Sequence, residues 1–242
     1  MVIAGVVIAK KDSKKLKAFG VKDSKQLSPK KREALALDIE SIARSIIVLR
    51  VPSCKIDSYM KGGRNLNKIE AMKMAEIITM CDADKVYVDS LNPPSKKKKK
   101  VNKFKDLVQS FMPDKKDIDM VFENRLDQSV PAVSAASIIA KVERDRAIEE
   151  IKKKVDFNFG VGYSHDARAI QFLEKVLQEN KEPSNYIRWS WGSVQSSATR
   201  LLEEGKKLQP WVRREILGEK SWQRKLKDFI FKKREECKEG NK

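Results

Sequence analysis

FENRLDQSVPAVSAASIIAKVERDR, residues 122–146, is the stretch from which the fold is read. Asp127 stands four positions before Pro131, and the chain then runs through Ala132, Ser134, Ala135, Ala136 and Ser137 into an apolar stripe with a charged end. Proline holds its predecessor extended, and the serines behind it predict a capped helix starting near Ser134. The small residues let that helix lie close against a sheet. Ile138, Ile139 and Val142 are its larger core-facing side chains, and Arg144 and Arg146 mark the turn where charge takes over. A carboxylate just ahead of a helix start can meet a ligand, or it can cap a tightly packed helix; the local sequence allows both.

On the N-terminal side the chain alternates strand and helix signals. Val2 to Ala9 is apolar and rich in β-branched residues, as in a strand buried on both faces. Lys10 to Lys17 reads as a charged connection. Ser28 and Pro29 cap and start a helix ending near Ala43, and Ser45 to Pro52 predicts a second strand. A helix from Asn65 carries Ile69, Met72, Met74, Ala75 and Ile78 on a broad apolar surface. DKVYVD, residues 84–89, is a short strand closing on an acidic residue, which is either a site carboxylate or a turn starter. Asn92, Pro93 and Pro94 then break structure before five lysines, Lys96 to Lys100, which suit a solvated loop or a phosphate contact. Phe104 to Met112 reads as a short helix, and Ile118 to Glu123 as the strand leading to Asp127.

Beyond the organising stretch, the helix is expected to run to about Lys154. A glycine-rich turn with Gly160 and Gly162 follows, next to Tyr163, which either stacks on a sugar or base or packs within its loop. Another helix spans Ala167 to Leu177. In PSNYIRWSWGSVQ, Tyr186, Arg188, Trp189 and Trp191 can grip a backbone or fill a core. Residues 193–208 and 212–236 carry broken helical stripes that include Trp211, Ile216, Trp222, Leu226, Phe229 and Ile230. This basic tail either folds back on the body or adds a duplex-binding surface.

Composition narrows the class of partner. The 242 residues hold 52 Lys and Arg against 34 Asp and Glu, a net charge of +18, which favours an anionic partner with nucleic acid first. Cys54, Cys81 and Cys237 follow no metal spacing, so reduced thiols in a cytoplasmic setting are expected. The single histidine, His165, cannot build a zinc cluster by itself. No apolar run reaches the roughly 18 residues of a membrane span, and the apolar start lacks the basic leader of a signal peptide.

SVPAVSAASIIAKVERDR resembles the signature segment of the type 2 ribonucleases H, ribonuclease HII, and the likeness to archaeal members continues through most of the first 195 residues. The resemblance implies an α/β fold of the ribonuclease H kind, a mixed sheet flanked by helices over residues 1–195, with a basic helical extension over 196–242. It implies endonucleolytic hydrolysis of the RNA strand of RNA–DNA hybrids, and of DNA strands containing ribonucleotides, by a two-metal mechanism with Mg²⁺ or Mn²⁺. Asp89, closing YVD, and Asp127 match two of the family's four carboxylate ligands and are the expected catalytic residues. Asp23, Ser24 and Lys25 of KDSKQLS are placed near the substrate, and Tyr163 matches a tyrosine that stacks on a sugar. Asp145 lies at a position that is acidic in relatives and is expected to support neighbouring groups. Ser164 stands where archaeal relatives usually carry proline, and His165, a candidate phosphate neighbour, replaces a small polar residue. A monomer is expected.

One departure bears on activity. Relatives carry a strand beginning with an Asp-Glu pair, then a glycine-arginine-glycine loop that senses the ribose 2′-hydroxyl, ahead of the equivalent of VIAGVVIA. The expectation is that two ligands and this loop lie outside the 242 residues. Three explanations stand: a start set too late, a gene that lost its 5′ portion and encodes an impaired protein, or a duplex binder that does not cleave.

Overall fold

The computed structural model describes residues 1–21, 27–89, 99–112 and 118–218, without the side chains of 99–102. Asp23, Ser24 and Lys25, Lys96 to Lys98, and the tail beyond residue 218, for all of which roles are expected above, lie outside the described residues. The elements in order are β1 (Val2–Val7), α1 (Ser13–Ala18), α2 (Pro29–Ile42), β2 (Ser45–Arg50), α3 (Ser53–Lys61), α4 (Leu66–Met80), β3 (Lys85–Asp89), α5 (Lys99–Gln109), β4 (Asp119–Glu123), α6 (Pro131–Val155), α7 (Ala167–Glu179), α8 (Gly192–Glu203) and α9 (Pro210–Glu215). They form two compact units, Met1–Glu150 and Ile151–Lys242.

In the first unit the α/β architecture is mixed in strand direction. β1 pairs antiparallel with β2, from Val2 opposite Arg50 to Val7 opposite Ser45. β3 pairs in parallel with β4, from Lys85 beside Asp119 to Asp89 beside Glu123. Among the described residues these are two separate two-stranded ladders.

Side-chain alternation decides how helices cover the first ladder. Ala4, Val6 and Ile8 of one side, with Ile46 and Val48, pack against Leu16 of α1, Leu35, Ala36 and Ile39 of α2, and Ala135, Ile138, Ile139 and Val142 of α6. Gly5, at the opposite parity, faces α4 instead: a Cβ there would stand 2.5 Å from Ile77 Cγ2. Neighbours on both faces leave every β1 residue partly buried, in keeping with its unbroken apolar run. α4 also serves the second ladder, where its Ala71, Ala75 and Ile78 join Val88, Met120 and Phe122, and where α5 contributes Phe104 in edge contact with Phe122 at 6.3 Å.

Several boundaries differ from those expected. α6 begins at Pro131, because the missing proline N–H costs nothing in the first turn and its fixed φ suits a helix start. Ser134 therefore lies inside the helix, where its hydroxyl donates to the Asp127 carbonyl. The charged connection after β1 holds α1, whose Leu16 is fully buried between lysines that point to solvent. α3 was not anticipated, and α5 starts at Lys99, ahead of Phe104. The expected 212–236 helix does not start as one piece: α9 stops at Glu215, and Gly218 adopts φ 65°.

The second unit is helical. Leu173, Val176 and Leu177 of α7 meet Val194, Ala198 and Leu201 of α8, together with Leu208, Trp211, Val212 and Leu217. Trp189 and Trp191 pack against this cluster, so the tryptophans take the core role of the two considered. The Trp211 indole donates to the Asn180 carbonyl at 2.8 Å, and the Trp189 indole to the Ser184 carbonyl at 3.0 Å. Cys54 and Cys81 are free thiols, and burial pushes the Cys81 thiol above its ordinary value.

The close approach of β1 and α4 gives a stability test. Gly5→Ala must displace Ile77 and is expected to cost about 1–3 kcal/mol, the usual range for overpacking. Gly192→Ala, whose new methyl meets nothing within 4 Å, is expected to leave stability unchanged or slightly raised. Urea unfolding of both variants measures the difference.

Candidate active site

The parallel ladder delivers two acidic strand ends side by side, Asp89 and Glu123. After β4 the chain reverses sharply, with Arg125 in the left-handed region at φ 62°. For a residue with a side chain this costs about 1–3 kcal/mol and persists only when the surroundings impose it. The reversal opens a 3-10 turn over Leu126–Gln128, and the Leu126 amide donates to Asp89 Oδ1 at 3.3 Å. Asp127, the next residue, is buried with 7% of its surface exposed. Val130 N–H donates to the Leu126 carbonyl at 2.8 Å, and Ser134 holds the Asp127 carbonyl from inside α6. Strand end, turn and helix start are thus joined around the two predicted carboxylates.

Asp145 is held on α6 by Arg32 at 2.9 Å and by Arg144 at 3.1 Å. Arg32 also donates to the Leu27 carbonyl at 2.8 Å, so the pair ties α6 to the start of α2. Farther along α6, Arg50 of β2 bridges Glu143 at 2.7 Å and Glu150 at 3.1 Å. The hydrogen bond to Glu143 leads the causes that raise the Arg50 pKa. At Glu143 burial pushes the carboxyl upward, but the hydrogen bonds from Arg50 and Arg146 outweigh it and lower the value.

Among the described residues no group of three His, Cys, Asp or Glu side chains is placed to hold a metal ion. A hard divalent cation takes six or more oxygen ligands, several of them from carboxylates. Asp89 and Asp127 with their neighbours therefore do not by themselves fit a metal pair.

In the second unit the predicted glycine-rich turn is present, with Gly160 at φ 68° and Gly162 at φ 72°. Asp166 fastens it: its carboxylate accepts from the Val161 amide at 2.9 Å and from Arg168, and its own amide donates to the Tyr163 carbonyl at 3.0 Å. A Cβ on Gly160 would overlap the Asp166 carboxylate. Tyr163 is exposed, and His165 stacks on it with ring centroids 5.4 Å apart and planes 9° from parallel.

The family model for Ribonuclease HII matches residues 1–194. The chain belongs to the ribonuclease HII family. Ribonuclease HII of Methanococcus maripaludis is 38% identical over 217 residues, covering 88% of this chain and 86% of that protein. Ribonuclease HII of Methanosarcina acetivorans is 36% identical over 209 residues, covering 86% and 92%. Among solved structures, ribonuclease H2 from Pyrococcus horikoshii superposes with a TM-score of 0.70 at 30% identity, covering 84% of this chain and 100% of that one. The ribonuclease HII of the PCNA:RNase HII complex from Archaeoglobus fulgidus gives 0.65 at 35% identity, covering 78% and 85%. The ribonuclease H-like α/β fold with its helical C-terminal part, and classification as an endoribonuclease, follow from these matches. Ribonuclease HII membership also implies divalent-metal-dependent catalysis as the family's chemistry.

Sequence patterns pointed to Asp89, Asp127 and Tyr163 but not to Arg125, Arg32 or Asp166. No periodicity marks a left-handed arginine, and Arg32 reaches Asp145 across 113 residues of chain. Asp166 was legible in principle as an acidic N-cap just ahead of α7, where it accepts from the Arg168 amide.

The Asp166 contacts predict a titration. The Val161 amide first, then Arg168, lower its pKa from 3.8 to about 2. A carboxyl whose folded value is depressed supports the fold fully above its unfolded value, and that support is lost as pH falls through the folded one. The Val161 and Arg168 amide resonances, both donors to the carboxylate, are expected to hold at pH 4 and to shift together with a midpoint near 2 in an NMR titration.

Proposed function

We propose that the chain hydrolyses the RNA strand of RNA–DNA hybrids and DNA strands containing ribonucleotides, leaving 5′-phosphate and 3′-hydroxyl ends. Family membership supports the general activity, endonucleolytic cleavage of RNA–DNA hybrids. The observation that carries the residue assignment is the bond from the Leu126 amide to Asp89, which fixes the turn bearing Asp127 to the end of β3. Asp89 and Asp127 are the proposed catalytic and metal-binding carboxylates, and Mg²⁺ or Mn²⁺ suits their oxygen donors. Asp23, Ser24, Lys25 and Tyr163 are the proposed substrate contacts, with Asp145 and His165 in support. Residues 1–195 are proposed as the catalytic domain and 196–242 as a basic extension, in a cytoplasmic monomer. No helix among the described residues is long and apolar enough to cross a membrane.

The alternative, a family member that binds duplexes and does not cut them, is favoured by one observation, the lack of a third ligand beside the two carboxylates among the described residues. One assay separates the readings. The 242-residue chain is incubated with Mg²⁺ or Mn²⁺ and a DNA duplex containing one ribonucleotide, beside an Asp127→Asn control. The catalytic reading expects cleavage that the control loses by more than about 100-fold, the largest effect usual for groups that only orient metal ligands. Salt-sensitive binding with no metal-dependent product would support the alternative.

The Archaeoglobus relative was solved in complex with PCNA. In this chain we propose Trp222, Leu226, Phe229 and Ile230, spaced i, i+4, i+7 and i+8, as the side chains that would meet a PCNA of the same cell. Retention of the chain on immobilised PCNA is expected to fall at least tenfold in Leu226→Ala/Phe229→Ala, and equal retention would overturn the proposal.

A further inference from the structure

We propose that Lys55, Arg64 and Tyr59, at the α3–α4 turn, form a preorganised contact for the phosphodiester backbone of a bound duplex. The proposal rests on duplex binding by this chain and names a place for it that the carboxylate site does not use.

The segment SCKIDSYMKGGRNLNK, residues 53–68, carries four cationic side chains and one acidic residue, Asp57, which is buried. Scattered lysines on a solvated helix would stay apart, but here cations converge on one ring. The Lys55 ammonium lies 5.3 Å from the Tyr59 ring centroid, the Arg64 guanidinium 5.5 Å and the Lys73 ammonium 5.9 Å. Lys73 is neutralised by Glu76 at 2.6 Å. No carboxylate among the described residues is paired with Lys55 or Arg64, although most of the arginines described in this unit are paired.

The backbone imposes this convergence. α3 closes with Gly62 N–H donating to Ser58 O at 3.1 Å, Gly63 turns at φ 79°, and the Arg64 amide donates to Tyr59 O at 3.1 Å. The Tyr59 ring itself is fixed against the buried Val51, Ile56 and Ile69. Its electron-rich face attracts both cations and orients their side chains about one ring. Neither cation is neutralised by a carboxylate among the described residues, and a duplex backbone offers phosphates at regular spacing for both. An ordered pair of cations loses less side-chain freedom on binding than two free ones.

Fluorescence anisotropy of a labelled DNA duplex with one ribonucleotide, in chelator and a KCl series, tests the proposal without cleavage. Lys55→Ala/Arg64→Ala is expected to make the plot of log affinity against log salt shallower by about 1.8, two contacts at about 0.9 each. Lys14→Ala/Lys17→Ala, the same charge change at exposed residues on α1, is expected to leave the slope near that of the unaltered chain. Tyr59→Leu keeps both charges and the apolar packing, so affinity should fall several-fold at an unchanged slope. Equal slopes for the two double variants would overturn the proposal, because the attraction would then be diffuse. Should Tyr59→Leu fail to fold, the two double variants, all exposed positions, still decide. Absence of duplex binding by the unaltered chain would overturn the parent reading and this one together, whereas binding with no slope change at Lys55 and Arg64 overturns this one alone.

Discussion

The bond between the Leu126 amide and the Asp89 carboxylate is the joint on which the site depends. A parallel strand pair cannot be closed by a tight hairpin, so its two C-terminal ends emerge side by side and must be tied down by whatever follows. Here the tie is made within three residues of the end of β4, and it requires Arg125 to take a backbone conformation that arginine disfavours. The compensating stabilisation comes from burial of Leu126 and from the first turns of α6, whose Ser134 bonds the Asp127 carbonyl from the other side. A carboxylate, a strained turn and a helix start act as one unit.

The elements most legible in the sequence were those buried on one consistent pattern. β1, β2, β3 and β4 showed as short β-branched runs, and α2, α4 and α7 as capped amphipathic or apolar segments, because local propensity and tertiary burial agree there. α3 was missed although Ile56, Tyr59 and Met60 stand at i, i+3 and i+4 and pack in one cluster, because its nine residues form a short element between Pro52 and a pair of glycines. The start of α6 was misplaced by one turn because serine is a strong cap signal, yet proline at the first helical position prevailed. Ser134, freed from capping, took a tertiary bond instead.

At the candidate site the sequence supplied residue types and the fold supplied their relation. Asp89 and Asp127 were recognisable as acidic residues at a strand end and before a helix, but nothing in a linear reading places residue 89 against residue 126. The same limit applies to Arg32 with Asp145, and to the three cations around Tyr59, which come from two helices and the turn between them. A charge held by distant chain has, in the sequence, the same look as one on a solvated surface. The ion pairs along α6 show how far this goes: β2 and α2 both use arginines to reach its acidic residues.

The Gly160 turn divides its own loop into positions that can drift and positions that cannot. The Asp166 carboxylate occupies the space a side chain at 160 would need, while the backbone at 160 and 162 is left-handed. A side chain at 160 would therefore meet both the Asp166 carboxylate and a backbone conformation that favours glycine. Ser164 and His165 are exposed and carry none of the hydrogen bonds that hold the turn. Substitution at 164 or 165 can thus change the chemistry presented beside Tyr163 while the backbone path stays the same.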